Sequence, residues 1–323
     1  MIIIKTPYRI SFFGGGTDYY QWYSKHGGEV LTSTIDRYCY ISLRKMPPFL
    51  GSKYRIFWSK AESVDRIEDI QHPGVRGCLE YMGINDGIEV NHAGDLPARS
   101  GLGSSSSFTV GMLHALHKLT GKKCDKADLA KKAIHVEQTV LKENVGIQDQ
   151  IQCAWGGINW IKIMPNGEYT VQPLLLNEEI MKHTENHLIM FFTGLQRTAS
   201  DIASSQLDNI DKKQSELHAI SGLVFPAVEA MKNGDMVTFG HCLDESWNLK
   251  RSLSDKITSK ELDDIYQAAI EAGAYGGKIL GAGGGGFFLF CVEPSKRQKL
   301  IDRLGLLWMP VSFEFGGSQV VIS

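Results

Sequence analysis

The sequence predicts an α+β protein of two domains, and three observations carry that prediction. The chain has 323 residues, more than a single hydrophobic core usually organises. Across the first half, short β-branched and aromatic runs alternate with helical periodicities. The second half opens on a charged, polar stretch, reads as mostly helical, and closes in strand, helix and strand. On this pattern the chain divides into an N-terminal domain over 1–185 and a C-terminal domain over 186–323.

The elements follow in order. Ile2–Lys5, Arg37–Arg44 and Ile56–Ser59 are rich in β-branched and aromatic residues and read as strands, as does Ile88–His92. A glycine- and serine-rich loop then leads into a helix over Ser104–Leu119. Asp125 opens another helix, in which Leu129, Ala133, Val136 and Val140 recur at helical spacing. Gly156-Gly157 precedes a strand over Ile158–Ile163. Asn177–Asn186 reads as the linker, and His187–Phe192 as the first strand beyond it. Residues 198 to 272 read as helical, and the strand–helix–strand pattern runs from Gly276 onward.

The bulk composition excludes several classes. A hydrophobic fraction of 43% and a charged fraction of 22% are those of an ordinary globular protein. A net charge of −2 supplies no global field to recruit nucleic acid or an anionic membrane. The apolar run Met1–Ile4 is too short for a signal peptide, and no run of ~20 apolar residues suits a membrane span. The six cysteines (39, 78, 124, 153, 242 and 291) form no CxxC pair, so reduced thiols in a cytoplasm are expected. His114 and His117 lie three apart on a helix, but no neighbouring Cys or carboxylate completes a metal set.

Three glycine-rich segments remain. No GxxxxGK[ST], HRD or DFG occurs, which excludes Walker-A proteins and the protein-kinase fold. Gly281-Ala282-Gly283-Gly284-Gly285-Gly286 matches GxGxxG, yet the apolar run Phe287–Val292 that follows reads as a strand, whereas a dinucleotide site needs a helix there. The informative segment is Leu96-Pro97-Ala98-Arg99-Ser100-Gly101-Leu102-Gly103-Ser104-Ser105-Ser106-Ser107. Gly101 and Gly103 permit close backbone approach, and consecutive amides can form an anion-binding nest. The serines fall at a helix N-terminus, where free amides and the dipole favour phosphate and a hydroxyl can reach Mg²⁺. The plain alternative is a serine-capped helix, but a cap needs one serine and no glycine pair. Glu137 shares a helix face with Ala130, Ala133 and Val140, which suits either a Mg²⁺ ligand or a carboxylate at the stripe's edge. Asp149, in Gly146-Ile147-Gln148-Asp149-Gln150, is either functional or a turn former, and spacing alone does not decide between them.

Taken together, these segments resemble a family. Thr6-Pro7-Tyr8-Arg9-Ile10-Ser11-Phe12-Phe13-Gly14-Gly15-Gly16-Thr17-Asp18-Tyr19 is similar to the first motif of the GHMP kinases, the galacto-, homoserine, mevalonate and phosphomevalonate kinases. The serine loop is similar to their second motif and Lys278–Phe288 to their third, in the same order. The resemblance implies an N-terminal domain like ribosomal protein S5 domain 2, a ferredoxin-like C-terminal domain, and an ATP site between them. It assigns ATP to Gly101, Leu102, Gly103, Ser104, Ser105 and Ser106, and Mg²⁺ to Ser105 and Glu137. Asp149 matches the catalytic aspartate of the sugar kinases, and Arg9 the basic residue beside the reacting oxygen. Asp18, with Thr17 and Gly16, falls where sugar hydroxyls are held, and Gly283 and Gly284 where the second domain closes the site. Lys278 or Arg99 would steady phosphate charge.

Within the family, Gly14-Gly15-Gly16 replaces the Gly-Glu-His of galactokinases, which argues against galactose. The Gly-Gly-Gly-Thr-Asp form, with Phe192–Arg197, resembles the branch that phosphorylates D-glycero-D-manno-heptose 7-phosphate at O1 for surface polysaccharide synthesis. The L-fucose kinase branch is the alternative. Arg197 would then meet the substrate's phosphate, with Lys250 and Arg251 as weaker candidates. Members that decarboxylate or only bind ligand are disfavoured by Asp149 beside a sugar-type first motif. The expected partners are ATP and a sugar phosphate, with neither nucleic acid nor membrane, and the resemblance leaves room for a homodimer.

Overall fold

The computed structural model describes residues 1–195 and 199–323, with side chains in the second range from 202 onward. The first sheet begins with β1 (Ile2–Phe13), β2 (Gly28–Lys45), β3 (Tyr54–Phe57), β4 (Ala61–Val64), β5 (Ile88–Gly94), β6 (Ile158–Ile163) and β7 (Tyr169–Pro173). A second, antiparallel sheet has β8 (Leu188–Phe192), β9 (Ala274–Ile279), β10 (Phe287–Val292) and β11 (Leu307–Pro310) in the order β11-β8-β10-β9. The last two strands, β12 (Phe313–Glu314) and β13 (Gln319–Ile322), return to the first sheet and pair with β2 and β1.

The helices are α1 (Tyr20–His26), α2 (Pro73–Met82), α3 (Ser104–Leu119), α4 (Lys126–His135), α5 (Gln148–Trp155) and α6 (Glu178–His187) in the first part of the chain. Then come α7 (Ala199–Asn209), α8 (Gln214–Gly222), α9 (Val224–Lys232), α10 (Met236–Arg251), α11 (Lys260–Ala272) and α12 (Arg297–Leu304). None of the described helices is long and apolar enough to cross a membrane.

The expected two-domain α+β architecture is present, with four differences in detail. The segment read as a linker is α6. Asn177 caps it by accepting from the Ile180 amide at 2.8 Å, Glu178 and Glu179 suit its first turn, and Thr184 and His187 are buried. The division after residue 185 therefore falls inside a helix, and the strands of residues 313–322 belong to the first sheet although they end the chain. β1 runs eight residues beyond Lys5, so most of the first motif is strand; Thr6–Phe13 is buried throughout. α2 was not anticipated, although His72 accepts from the Val75 amide at its start and Pro73 occupies the first helical position.

β8 and β10 show why a buried strand hides its period. Leu188 and Met190 face one core, with Phe287, Leu289 and Cys291. Ile189 and Phe191 face the other, with Phe288, Phe290 and Val292. Both faces are covered, so each strand reads as a continuous apolar run. β1 has register shifts between Pro7 and Arg9 and between Ser11 and Phe13. Such irregularities re-aim side chains, here at the residue that anchors the site.

Candidate active site

The loop that ends at α3 is built without a side-chain cap. Gly103 occupies the N-cap position in the left-handed conformation, at φ 72°, and among the described residues no side chain caps the first-turn amides. The serine-cap alternative is thus absent, and the helix end is open to an anion. Ser105 is exposed, Ser104 half-buried and Ser106 buried, while the Ser107 hydroxyl is used structurally, donating to Thr6 O at 2.9 Å. Leu102 is fully buried, and its carbonyl accepts from the Arg9 amide at 3.0 Å.

That bond places the Arg9 side chain beneath the loop. Nε donates to Asp149 Oδ1 at 2.6 Å, Nη2 to Asp149 Oδ2 at 2.5 Å, and Nη1 to Gly101 O at 2.7 Å. A Cβ on Gly103 would lie 3.0 Å from Arg9 Cγ and 3.3 Å from Asp149 Oδ2, so the pair sits directly against the loop backbone. The Arg9 side chain is 6% exposed and that of Asp149 25%, so the carboxylate is the partner a ligand can reach. Asp149 lies in the first turn of α5. Gln148, which the sequence reading passed over, accepts from Ser11 Oγ at 2.9 Å and donates to Asp149 Oδ1 at 3.1 Å.

Asp18 is joined to the same assembly. Its Oδ1 accepts from the Gly16 amide at 3.1 Å and its Oδ2 from the Gln148 amide at 3.3 Å. Burial and then nearby Asp149 raise its pKa above the ordinary aspartate value. Thr17 is buried and occupied: its hydroxyl donates to Gly14 O and Glu29 O and accepts from the Glu29 amide. Thr17 therefore shapes the turn, and no donor remains on it for a ligand.

Glu137 lies on a π-turn, Val136–Val140, that continues α4. It is fully buried. Ser106 Oγ donates to its Oε2 at 2.8 Å, and Gln150 Nε2 donates to the same oxygen. The serine that meets Glu137 is Ser106, one residue beyond the Ser105 expected. Among the described residues, neither Glu137 Oε1 nor Gln150 Oε1, both buried, has a hydrogen-bond partner. Burial, then Glu143, pushes the Glu137 carboxyl up to about 8.

The third glycine motif packs on the loop, backbone to backbone. A Cβ on Gly281 would lie 2.6 Å from Gly101 Cα, and one on Gly286 2.3 Å from Ser100 O. Gly283 and Gly284 instead approach Ile257, whose carbonyl accepts from the Gly284 amide at 2.8 Å. Lys278 donates to Phe12 O at 2.8 Å and Lys250 to Gly281 O at 2.5 Å, while Arg251 pairs with Asp263 at 3.0 Å. Lys278 and Lys250 are thus bonded to backbone carbonyls, and Arg251 lies in a surface ion pair. Arg99 holds a left-handed backbone at φ 60°. Arg197 lies outside the described residues.

An aromatic cluster adjoins the start of α3, assembled from segments too far apart in sequence to be linked by spacing. His72 stacks on Phe108 at 4.5 Å, and His92 and Trp58 meet the cluster edge-on at 4.9 Å each, on Phe108 and His72. Burial, then His92, holds His72 down at about 4, and burial lowers His92 as well, so both rings are neutral at neutral pH.

Comparison with known proteins accounts for this arrangement. Residues 74–157 match the GHMP kinases N terminal domain and residues 227–308 the GHMP kinases C terminal domain. The chain is 32% identical over 314 residues to the D-glycero-alpha-D-manno-heptose 7-phosphate kinase of Campylobacter jejuni, which spans 93% of this chain and 92% of that one. It is 27% identical over 342 residues to the galactokinase of Pyrococcus furiosus, over 94% and 92% of the two chains. The fold superimposes on a D-glycero-D-manno-heptose 1-phosphate kinase structure from Bacteroides thetaiotaomicron with a TM-score of 0.83, at 22% identity over 100% of this chain and 99% of that one. With both domains matched and a relative aligned over nearly its whole length, the chain belongs to the GHMP kinases, as a sugar kinase that uses ATP to phosphorylate an alcohol group.

Proposed function

We propose that this kinase, with Mg²⁺, phosphorylates the anomeric hydroxyl of D-glycero-D-manno-heptose 7-phosphate to give the 1,7-bisphosphate, for nucleotide-activated heptose and surface polysaccharide synthesis. The observation that carries the chemistry is the Arg9–Asp149 pair against Gly103: it sets a partly exposed carboxylate beside an uncapped helix end. In this reading the ATP phosphates lie over Gly101–Ser106, and the purine stacks on the neutral Trp58, His72, His92 and Phe108 cluster. Asp149 accepts the proton of the sugar O1 as that oxygen bonds the γ-phosphorus and the bond to ADP breaks. Arg9 and Gln148 fix the carboxylate's orientation, and Asp18 accepts sugar hydroxyls with its remaining lone pairs.

The residues around Glu137 suit a hard cation. Two buried oxygens, Glu137 Oε1 and Gln150 Oε1, have no partner among the described residues, and Ser106 adds a hydroxyl. Glu137 and Ser106 would hold Mg²⁺ there, and the metal would neutralise charge on the transferring phosphoryl group.

The choice of sugar is supported by the likeness to the Campylobacter heptose 7-phosphate kinase and by Gly14–Gly16, which lacks the Glu and His of galactokinases. Fucokinases also match the chain, at 24% and 29% identity over shorter shares of the enzymes that contain them. ADP release with ATP, Mg²⁺ and a panel of heptose 7-phosphate, dephosphorylated heptose, L-fucose, galactose and mannose 6-phosphate tests the reading. Heptose 7-phosphate should give the highest kcat/KM. Equal use of the two heptoses, or a preference for L-fucose, overturns the substrate and leaves the kinase.

A further inference from the structure

Beside the contact between the third motif and the phosphate loop lies a buried lysine that the proposed reaction does not use. Lys250, on α10, is 9% exposed. Its Nζ donates to Ile279 O at 3.2 Å and to Gly281 O at 2.5 Å, the carbonyls on either side of Leu280. No carboxylate is among these partners. The charged groups that act on it are two cations, Lys278 and Arg9, and burial followed by these two holds its pKa well below the ordinary lysine value. An ammonium in such a place is costly, and a methionine of similar volume would fill the space without that cost. Packing alone does not account for the residue.

The two carbonyls do account for it. Gly281 lies directly on Gly101: a Cβ on Gly101 would come within 2.3 Å of Leu280 O, and one on Gly281 within 2.9 Å of Gly101 O. That Gly101 carbonyl accepts from Arg9 Nη1, and the other nitrogens of Arg9 hold Asp149. An unbroken series of contacts thus runs from Lys250 through Gly281, Gly101 and Arg9 to Asp149. It crosses from the second domain into the first.

We propose that Lys250 is a positioning residue for phosphoryl transfer: by clamping the carbonyls of residues 279 and 281 it fixes the third motif against Gly101 and thereby the Arg9–Asp149 pair at the phosphate loop. The proposal rests on the roles given above to Arg9 and Asp149. It adds that the second domain aligns the proton acceptor through backbone contacts, without offering a group to the substrate. The Lys250 amino group supplies two directed hydrogen bonds to one turn, which an apolar side chain cannot.

Lys250→Met tests this. Misplacement of a reacting group by ~1 Å can cost up to ~100-fold, so kcat should fall about ten-fold or more while KM for the sugar changes less than about two-fold. The melting temperature should change by less than about 5 °C, because loss of a costly buried amino group offsets loss of its two hydrogen bonds to carbonyls. If Lys250 acts through Arg9, the double variant Arg9→Lys, Lys250→Met should be no slower than the slower single variant, within about two-fold. Asp149→Asn monitors the underlying reading: if it stays active, the role of Asp149 falls, and with it the basis of the proposal. With Asp149→Asn inactive, more than about half of wild-type kcat in Lys250→Met overturns the proposal alone. So do multiplicative effects in the double variant, or a loss of activity accompanied by a drop of more than about 5 °C in Tm, which would mark a scaffold residue. Should Lys250→Met fail to fold, Lys250→Gln keeps an uncharged donor toward the carbonyls. It should retain an intermediate kcat, and full wild-type kcat there would overturn the proposal.

Discussion

The two sides of the phosphate loop handle charge in opposite ways. On the first-domain side are carboxylates: Asp149, paired twice with Arg9, and Glu137, buried with one oxygen unpartnered. On the second-domain side are lysines: Lys250 and Lys278, buried and bonded only to backbone carbonyls. One side offers lone pairs toward a ligand. The other spends its charge on holding chain segments together. In the proposed reading the first domain therefore does the chemistry and the second sets its geometry, and each expectation below probes one side.

The largest expected effect is on the first side. Asp149→Asn keeps the shape and removes the proton acceptor, so kcat should fall at least ~100-fold with ATP affinity nearly unchanged. A variant that keeps a third of wild-type kcat, with chemistry shown to be limiting, would leave Arg9 and Asp149 as scaffold only. Asp18→Asn comes next. Both Asp18 oxygens accept backbone amides, so the amide variant keeps one of these bonds where alanine would lose both. KM for the sugar should rise roughly ten-fold with KM for ATP steady. Equal rises in both would point to the turn itself.

Magnesium titrations at saturating ATP sharpen the same side. Glu137→Gln should raise the Mg²⁺ midpoint roughly ten-fold, Ser106→Ala less, and Ser105→Ala least, because Ser106 is the serine bonded to Glu137. A larger effect at Ser105 would reverse that order and restore the residue favoured by the sequence. The smallest effect concerns the second side. Burial, then Arg9, holds the Lys278 ammonium down at about 7 against an ordinary 10.5. Between those values the unfolded chain binds a proton that the folded chain does not, so Lys278 makes stability rise with pH across that window. Lys278→Met should flatten the rise, a change of a few degrees in Tm at most. An unchanged slope would show that Lys278 keeps its proton in the fold.

Much of this assembly is legible in the sequence, and the exceptions have physical causes. α3 and β6 appear at the boundaries expected, because a serine run after glycines and a paired glycine before an apolar run are strong local signals. Arg9 bonds Asp149, and Asp18 accepts from the amide of Gln148 beside it, contacts between segments that no local pattern links. Ser106 and Ser105 could not be told apart in a run of four serines, since only the π-turn that carries Glu137 decides which hydroxyl it meets. Gln148 and Gln150 were passed over because glutamine has no charge to draw notice, yet each bonds a carboxylate of the site. Lys250, in Leu249-Lys250-Arg251, looks like an ordinary cation at a helix C-terminus. Its acceptors lie about thirty residues away, at the end of β9. α6 was misread because its capping asparagine and paired glutamates also suit a polar linker.

The return of residues 313–322 to the first sheet bears on how the chain is made. β13 pairs with β1, and Ser318 Oγ hydrogen-bonds with Thr6 Oγ1 at 2.9 Å and His114 Nδ1 at 2.9 Å. The Gly157 amide donates to Glu314 O at 2.7 Å, next to β6. On the ribosome, the strand that carries Arg9 emerges before residues 319–322, and its edge toward β13 stays unpaired until they appear. The helices and second sheet are synthesised in that interval. A nascent chain released after residue 185 should therefore remain protease-sensitive, and β13 should act as a late latch on the strand that carries Arg9.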